Sequence, residues 1–265
     1  MLKVTKLIKS FNRGTPNEKL ALDGISLVIR PGDFVTVIGG NGAGKSTLLN
    51  CVAGVFPPDS GKILIDDADV TRLSEHNRAK YLGRVFQDPM MGTAADMTIE
   101  ENLALANRRG TRRTLRWQIQ ADERKRYKEM LAELNLGLED RLTSRVGLLS
   151  GGQRQALTLL MATLRVPKLL LLDEHTAALD PKTAETVLDL TEKYIKQSAL
   201  TALMVTHNMR NALRYGNRLL MMHNGRAVVD VAGEAKQILE VNDLMRLFER
   251  SAGEELASDR MLLAD

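Results

Sequence analysis

The chain has 265 residues, 44% hydrophobic and 26% charged, enough apolar material for one large core or two closely joined subdomains. Its longest obvious apolar run, the leucines 169–172, falls far short of the roughly 18 to 20 residues of a membrane-crossing helix, so any work at a membrane would go through a partner. A net charge of +4 favours anionic partners without choosing among nucleotide, nucleic acid and lipid headgroup. The lone Cys51 and an amino terminus without a secretory signal point to the cytoplasm.

Apolar alternation at residues 2–7, 25–29 and 34–38, broken by Asp23-Gly24 and Pro31-Gly32-Asp33, predicts strands joined by turns. A glycine-rich stretch, 39–47, then precedes a helix over 48–53 that Gly54 is suited to end. After the turn at 57–61 the pattern predicts a strand at 62–66, a helix from about Ser74 stopping at Gly83, and a strand at 84–87. From Thr98 the period becomes helical. Thr98-Ile99-Glu100-Glu101 is a capping box, residues 108–116 form a basic connector, and a charged helix is expected from about Trp117 to Leu134. Residues 88–165 read as a helical insertion within a single domain spanning 1–265.

Strand and helix alternation resumes at 169–172. A helix with Asp180 as N-cap and Pro181 in its first turn follows, then a strand at 201–205. Asn224-Gly225 marks a hairpin between 219–222 and 227–231, leaving a mixed-charge, helical carboxyl-terminal tail at 235–265.

Three segments carry chemistry. Residues 39–46 fit G-x-x-x-x-G-K-[ST]: backbone N–H groups of such a loop wrap phosphates, Lys45 offsets charge on the outer ones, and Ser46 can hold Mg2+. A lysine after the last glycine argues against a dinucleotide fold. Leu169-Leu170-Leu171-Leu172-Asp173-Glu174 delivers two carboxylates to the end of an apolar strand, Asp173 suited to Mg2+ and Glu174 to a water; alone, such a run is as often a plain strand end. Leu149-Ser150-Gly151-Gly152-Gln153 opens a helix running to about Arg165, whose free N–H groups make a second anion site, or in the blander reading simply a capped helix start.

Together, Lys45, Ser150-Gly151-Gly152-Gln153, Asp173-Glu174 and His207 stand in the order and spacing of ABC ATPase domains over nearly the whole chain, and the sequence is identified as a member of that family. The resemblance implies an α/β P-loop NTPase of the ABC type: a RecA-like core, an antiparallel β subdomain and a helical subdomain. It implies a head-to-tail homodimer in which ATP on Gly39, Asn41, Gly42, Ala43, Gly44, Lys45, Ser46 and Thr47 of one copy is capped by Ser150, Gly151, Gly152 and Gln153 of the other. Phe11 resembles the aromatic residue that stacks on adenine, with a strand-end core aromatic as its bland alternative. Gln87 resembles the glutamine that reaches metal and water, His207 the histidine that contacts the γ-phosphate, and Asp180 part of the loop that crosses the dimer interface. The implied catalytic set is Glu174, His207, Gln87 and Lys45, with Ser46, Gln87 and Asp173 on Mg2+. His175 departs from the family, which commonly has proline after the glutamate, and is read as a non-catalytic side chain that either backs the residues of the site or is simply solvated.

Two machines fit these residues. One is a transporter motor moving a separate permease from the cytoplasmic face of the membrane through Gln87, the segment containing Met90, Met91 and Met97, and the helical insertion. The other is an ABC ATPase acting on nucleic acid or the ribosome, motivated by Arg108, Arg109, Arg112, Arg113 and Arg116, with Arg124, Lys125 and Arg126 beyond. A single cassette, no coiled-coil heptads and one cysteine favour the first, so no nucleic-acid partner is expected. The runs 83–94 and 173–184 resemble a bacterial importer subgroup associated with a permease, a solute-binding protein and solutes such as tryptophan and tyrosine.

Overall fold

The computed structural model describes residues 1–110 and 119–252. In chain order the elements are β1 (Leu2–Phe11), β2 (Lys19–Ile29), β3 (Phe34–Ile38), α1 (Lys45–Ala53), β4 (Ser60–Ile65), β5 (Ala68–Asp69), α2 (Glu75–Arg78) and β6 (Leu82–Val85). Then come α3 (Ile99–Asn107), α4 (Ala121–Ala132), α5 (Gly151–Thr163), β7 (Leu169–Asp173), α6 (Pro181–Gln197) and β8 (Thr201–Val205). The chain continues through α7 (Met209–Arg214), β9 (Arg218–His223), β10 (Arg226–Ala232), α8 (Glu234–Gln237) and α9 (Val241–Ala252).

Among the described residues the strands form a four-stranded antiparallel sheet, β2-β1-β4-β5, and a six-stranded sheet, β10-β9-β3-β8-β7-β6, parallel except for β10. The central strands β3, β8 and β7 of the second sheet are buried on both faces, which is why they read as nearly unbroken apolar runs. Leu169 and Leu171 of β7 face a cluster with α1 and the antiparallel sheet, whereas Leu170 and Leu172 face the helices α3, α4, α5 and α6. Parallel register (Val37 beside Val205, Asp173 beside Val205, Val85 beside Leu172) brings the ends of β3, β8, β7 and β6 to one edge.

Several expected boundaries move. Asp23-Gly24 lies within β2 as a bulge: the pairing slips between Leu7–Ile25 and Lys9–Leu22, Gly24 takes φ +68°, and the Asp23 N–H turns to the carbonyl of Gly225 (3.0 Å). The helix expected from Ser74 to Gly83 is the single turn α2, and Leu82-Gly83 already belong to β6. Gly83 is there because the strand passes too close to the carbonyl of Ala162 for a side chain, not to stop a helix. The charged helix begins at Ala121; Trp117, with Arg112, Arg113 and Arg116, lies outside the described residues, as do residues 253–265 of the tail.

Two buried cations brace the frame. Arg78, 1% exposed, donates to the carbonyls of Cys51 (2.6 Å) and Val52 (2.8 Å) in the last turn of α1 and to those of Leu73 and Thr71. Lys236 of α8 donates to the carbonyls of Tyr215 and Gly216 just past α7. Beyond it, α9 buries Leu244 and Phe248 in a cluster with α7 and β10, each contributing about 1.5–3 kcal/mol.

Candidate active site

The loop after β3 turns sharply into α1. Gly44, the N-cap, has φ +99°, and a Cβ there would collide with the carbonyl of Ala21, so only glycine fits. The first turn of α1, whose N–H groups have no partner within the helix, then opens into a cleft lined by Phe11, Lys19, Ala21, residues 41–47 and Glu174. Lys45 is buried and lies along the loop, donating to the carbonyls of Gly39 (2.7 Å) and Gly40 (3.1 Å). Phe11 ends β1 at the cleft's rim, edge-on to Phe56 at 5.2 Å.

The acids arrive on β7. Burial holds the Asp173 carboxyl above the usual carboxylate range; Glu174 pushes the same way, while Arg84, 3.5 Å off, and Lys45 offset part of it. Arg84 also donates to Asn50 (2.7 Å) and stacks on Phe86, so it ties Asp173 to α1. Glu174 adopts φ +43°, the left-handed region, at a cost of about 1–3 kcal/mol for a residue with a side chain. Its N–H donates to Val205 (3.0 Å), its carbonyl accepts from Ala177 (2.9 Å), and its carboxylate lies 3.2 Å from Nδ1 of His207, beyond the end of β8. Gln87, exposed just past β6, shares this edge but does not line the cleft.

His175, expected either to back the site or to be solvated, is buried at 2% exposure, with Nε2 3.2 Å from the hydroxyl of Thr191 on α6. Thr191 spends its one hydroxyl proton on the carbonyl of Val187 (2.7 Å), so Nε2–H of His175 is the donor. Burial pushes this imidazole down to about 4, which keeps it neutral.

Residues 150–153 stand apart from the cleft. Ser150 caps α5 in a box with Gln153 (3.3 and 3.2 Å), and Gly152 lets α5 press against Thr183, where any Cβ would collide. Asp180 caps the neighbouring α6 by accepting from the Thr183 N–H (3.1 Å). Lys19 and Arg84 escaped the sequence reading: Lys19 brings its ammonium against Gly42 from a distant strand, and no local motif marks either residue.

The family model described as ABC transporter matches residues 22–177. A tyrosine transport ATP-binding protein of Clostridioides difficile is 43% identical over 249 residues, 94% of this chain and 99% of that protein. The chain belongs to the ABC transporter family. The cassette is also 32% identical to the energy-coupling factor transporter ATP-binding protein EcfA2 of Clostridium tetani, over 92% of this chain and 82% of that one. The dimeric post-hydrolysis structure of the ATP-binding cassette MJ0796 with ADP and Pi superposes with a TM-score of 0.75 at 29% identity, covering 88% of this chain and 98% of that one. This cassette is therefore an ATP-binding, ATP-hydrolysing transporter subunit of the kind that works as a dimer with membrane permeases. No described helix is long and apolar enough to cross a membrane.

The nucleic-acid alternative falls with that assignment, and three of the arginines that motivated it are engaged within the chain. Arg109 donates to the carbonyls of Ala162 (3.1 Å) and Arg165 (2.8 Å) at the end of α5, and Arg124 grips Glu100 through two bonds (2.6 and 2.9 Å). Arg108 lies 3.9 Å from Glu123.

Proposed function

We propose that this cassette drives an importer of a small solute of the aromatic amino acid class, working as a head-to-tail pair on the cytoplasmic face of the membrane with a permease and a solute-binding protein. The solute class rests on one observation, the match along nearly its whole length to a tyrosine transport ATP-binding protein. The head-to-tail pairing is supported by the separation of residues 150–153 from the cleft, which leaves each cleft to be capped by another copy.

In this reading the loop N–H groups and Lys45 hold the phosphates, Lys19 adds a second cation, and Phe11 carries the adenine. Glu174 orients a water and takes its proton as the oxygen bonds to the γ-phosphorus and the bond to the bridging oxygen breaks, leaving ADP and phosphate. His207 contacts the γ-phosphate and holds the Glu174 carboxylate, while Asp180 works at the contact between copies.

Ser46, Asp173 and Gln87 would hold Mg2+, whose charge neutralises the phosphate oxygens. The fit is supported by an all-oxygen donor set and by a half-buried carboxylate whose partial desolvation a cation would relieve.

Residues 88–165 act as a helical subdomain and 235–265 as a carboxyl-terminal tail. Exposed Met90 (42%) and Met91 (70%), beside Gln87, supply an adaptable docking surface for the permease. The test is purification of the tagged cassette from detergent-solubilised membranes, reconstitution of what accompanies it, and ATPase assay with tyrosine and then methionine. A permease and binding protein whose ATPase rises several-fold with tyrosine are expected; stimulation by methionine alone would overturn the solute class.

A further inference from the structure

We infer that His175 is a positioning residue for Glu174: its buried bond to Thr191 tethers the chain just after Glu174 to α6 and holds the left-handed backbone that aims the carboxylate. The inference rests on the reading of Glu174 as the residue that handles the water.

The backbone at Glu174 is unfavourable by itself, so its surroundings must over-determine it. Two constraints are main-chain: the N–H bond to Val205 and the carbonyl bond from Ala177. Both leave the next residue free to swing about its own torsions. The third constraint fixes that residue, since the His175 ring is buried and its Nε2–H points at a hydroxyl that cannot turn away. Thr191 is itself 1% exposed, and its proton is committed to Val187, four residues back on the same helix.

Packing alone does not account for this pair. Leu188 of α6 and Met204 of β8, both buried, line the same cavity as His175, and an apolar residue would fill such a place without burying polar atoms that then need partners. What the imidazole adds over a hydrocarbon is direction: one bond, to one atom, on a helix of 17 residues that Asp180 caps at its start. His175 touches no reacting atom in this scheme; it acts through Glu174.

The test uses the full chain with Thr191→Val, which keeps the volume and deletes the acceptor, Thr191→Ser, which keeps the hydroxyl, and His175→Leu. Steady-state ATP hydrolysis should show kcat lowered about tenfold to a hundredfold in Thr191→Val and in His175→Leu, with KM for ATP within about twofold. Thr191→Ser should restore kcat to within a few-fold, and the double variant should be no slower than the slower single one. Amide hydrogen exchange should quicken over residues 174–179 in Thr191→Val and nowhere else, a readout independent of turnover. Wild-type kcat in Thr191→Val, additive losses in the double variant, or unchanged exchange at 174–179 would each overturn the tether. Full turnover in Glu174→Gln would instead sink the reading of Glu174 beneath it, so the two failures are distinct.

Discussion

At the scale of single residues, the site departs most from ordinary protein geometry at Glu174, with φ +43° and its carboxylate 3.2 Å from His207. Strain of that kind persists where the surroundings hold it, and here β8, His175 and Ala177 all contribute. Glu174→Gln keeps the shape and removes the proton acceptor. Turnover should fall by about a hundredfold to ten-thousandfold while ATP still binds, and light scattering should show a dimer persisting in ATP. Steady-state hydrolysis at the wild-type rate would take Glu174 out of its proposed role. The sequence announced Glu174, Asp173 and Lys45 because their neighbours in the chain form short patterns. Arg84, Lys19 and the Thr191 partner of His175 were silent, since each reaches the site across the sheet or from another helix.

At the scale of elements, local chemistry was legible where one signal sufficed. The capping box at Thr98, Asp180 with Pro181 on α6, Gly54 closing α1, and the Asn224-Gly225 hairpin, with φ +45° and +75°, all stand where expected. The failures were glycines and aspartates that usually mean turns: Asp23-Gly24 is a bulge and Gly83 a close approach, and only a neighbouring strand or helix reveals either. Lys236 makes an element-scale prediction. Burial lowers its pKa from 10.5 to about 8, the opposing pull of Glu192 being smaller. Between these values the unfolded chain binds the extra proton, so stability rises with pH through that window; the penalty is full below about 8 and gone above about 10.5. Urea denaturation at pH 7.5 and pH 10 should show the wild type gaining up to about 3 kcal/mol relative to Lys236→Met. A pH-independent difference between the two would contradict a buried ammonium.

At the scale of the whole molecule, the proposed site is split. Residues 41–47 and Glu174 line a cleft at the edge of the parallel sheet, while residues 150–153 cap α5 outside it. Lys45→Ala should therefore weaken ATP binding at least tenfold even in dilute, monomeric protein, whereas Ser150→Arg should leave that affinity unchanged and abolish ATP-driven dimerisation. Nucleotide titration at low concentration, followed by scattering at high concentration, separates the two. Equal loss of monomer affinity in both variants would mean that both segments serve one cleft of one chain.

The split has a geometric corollary. Two identical chains that cap each other's clefts are related by a two-fold axis, so every surface feature of the pair occurs twice, at equal distances from that axis. The exposed Met90 and Met91 would then present two matching footholds, one from each copy. A permease that engages both at once must repeat its own contact at the same spacing, as two copies of one chain or as two halves of similar shape. A partner with a single contact would leave one foothold bare.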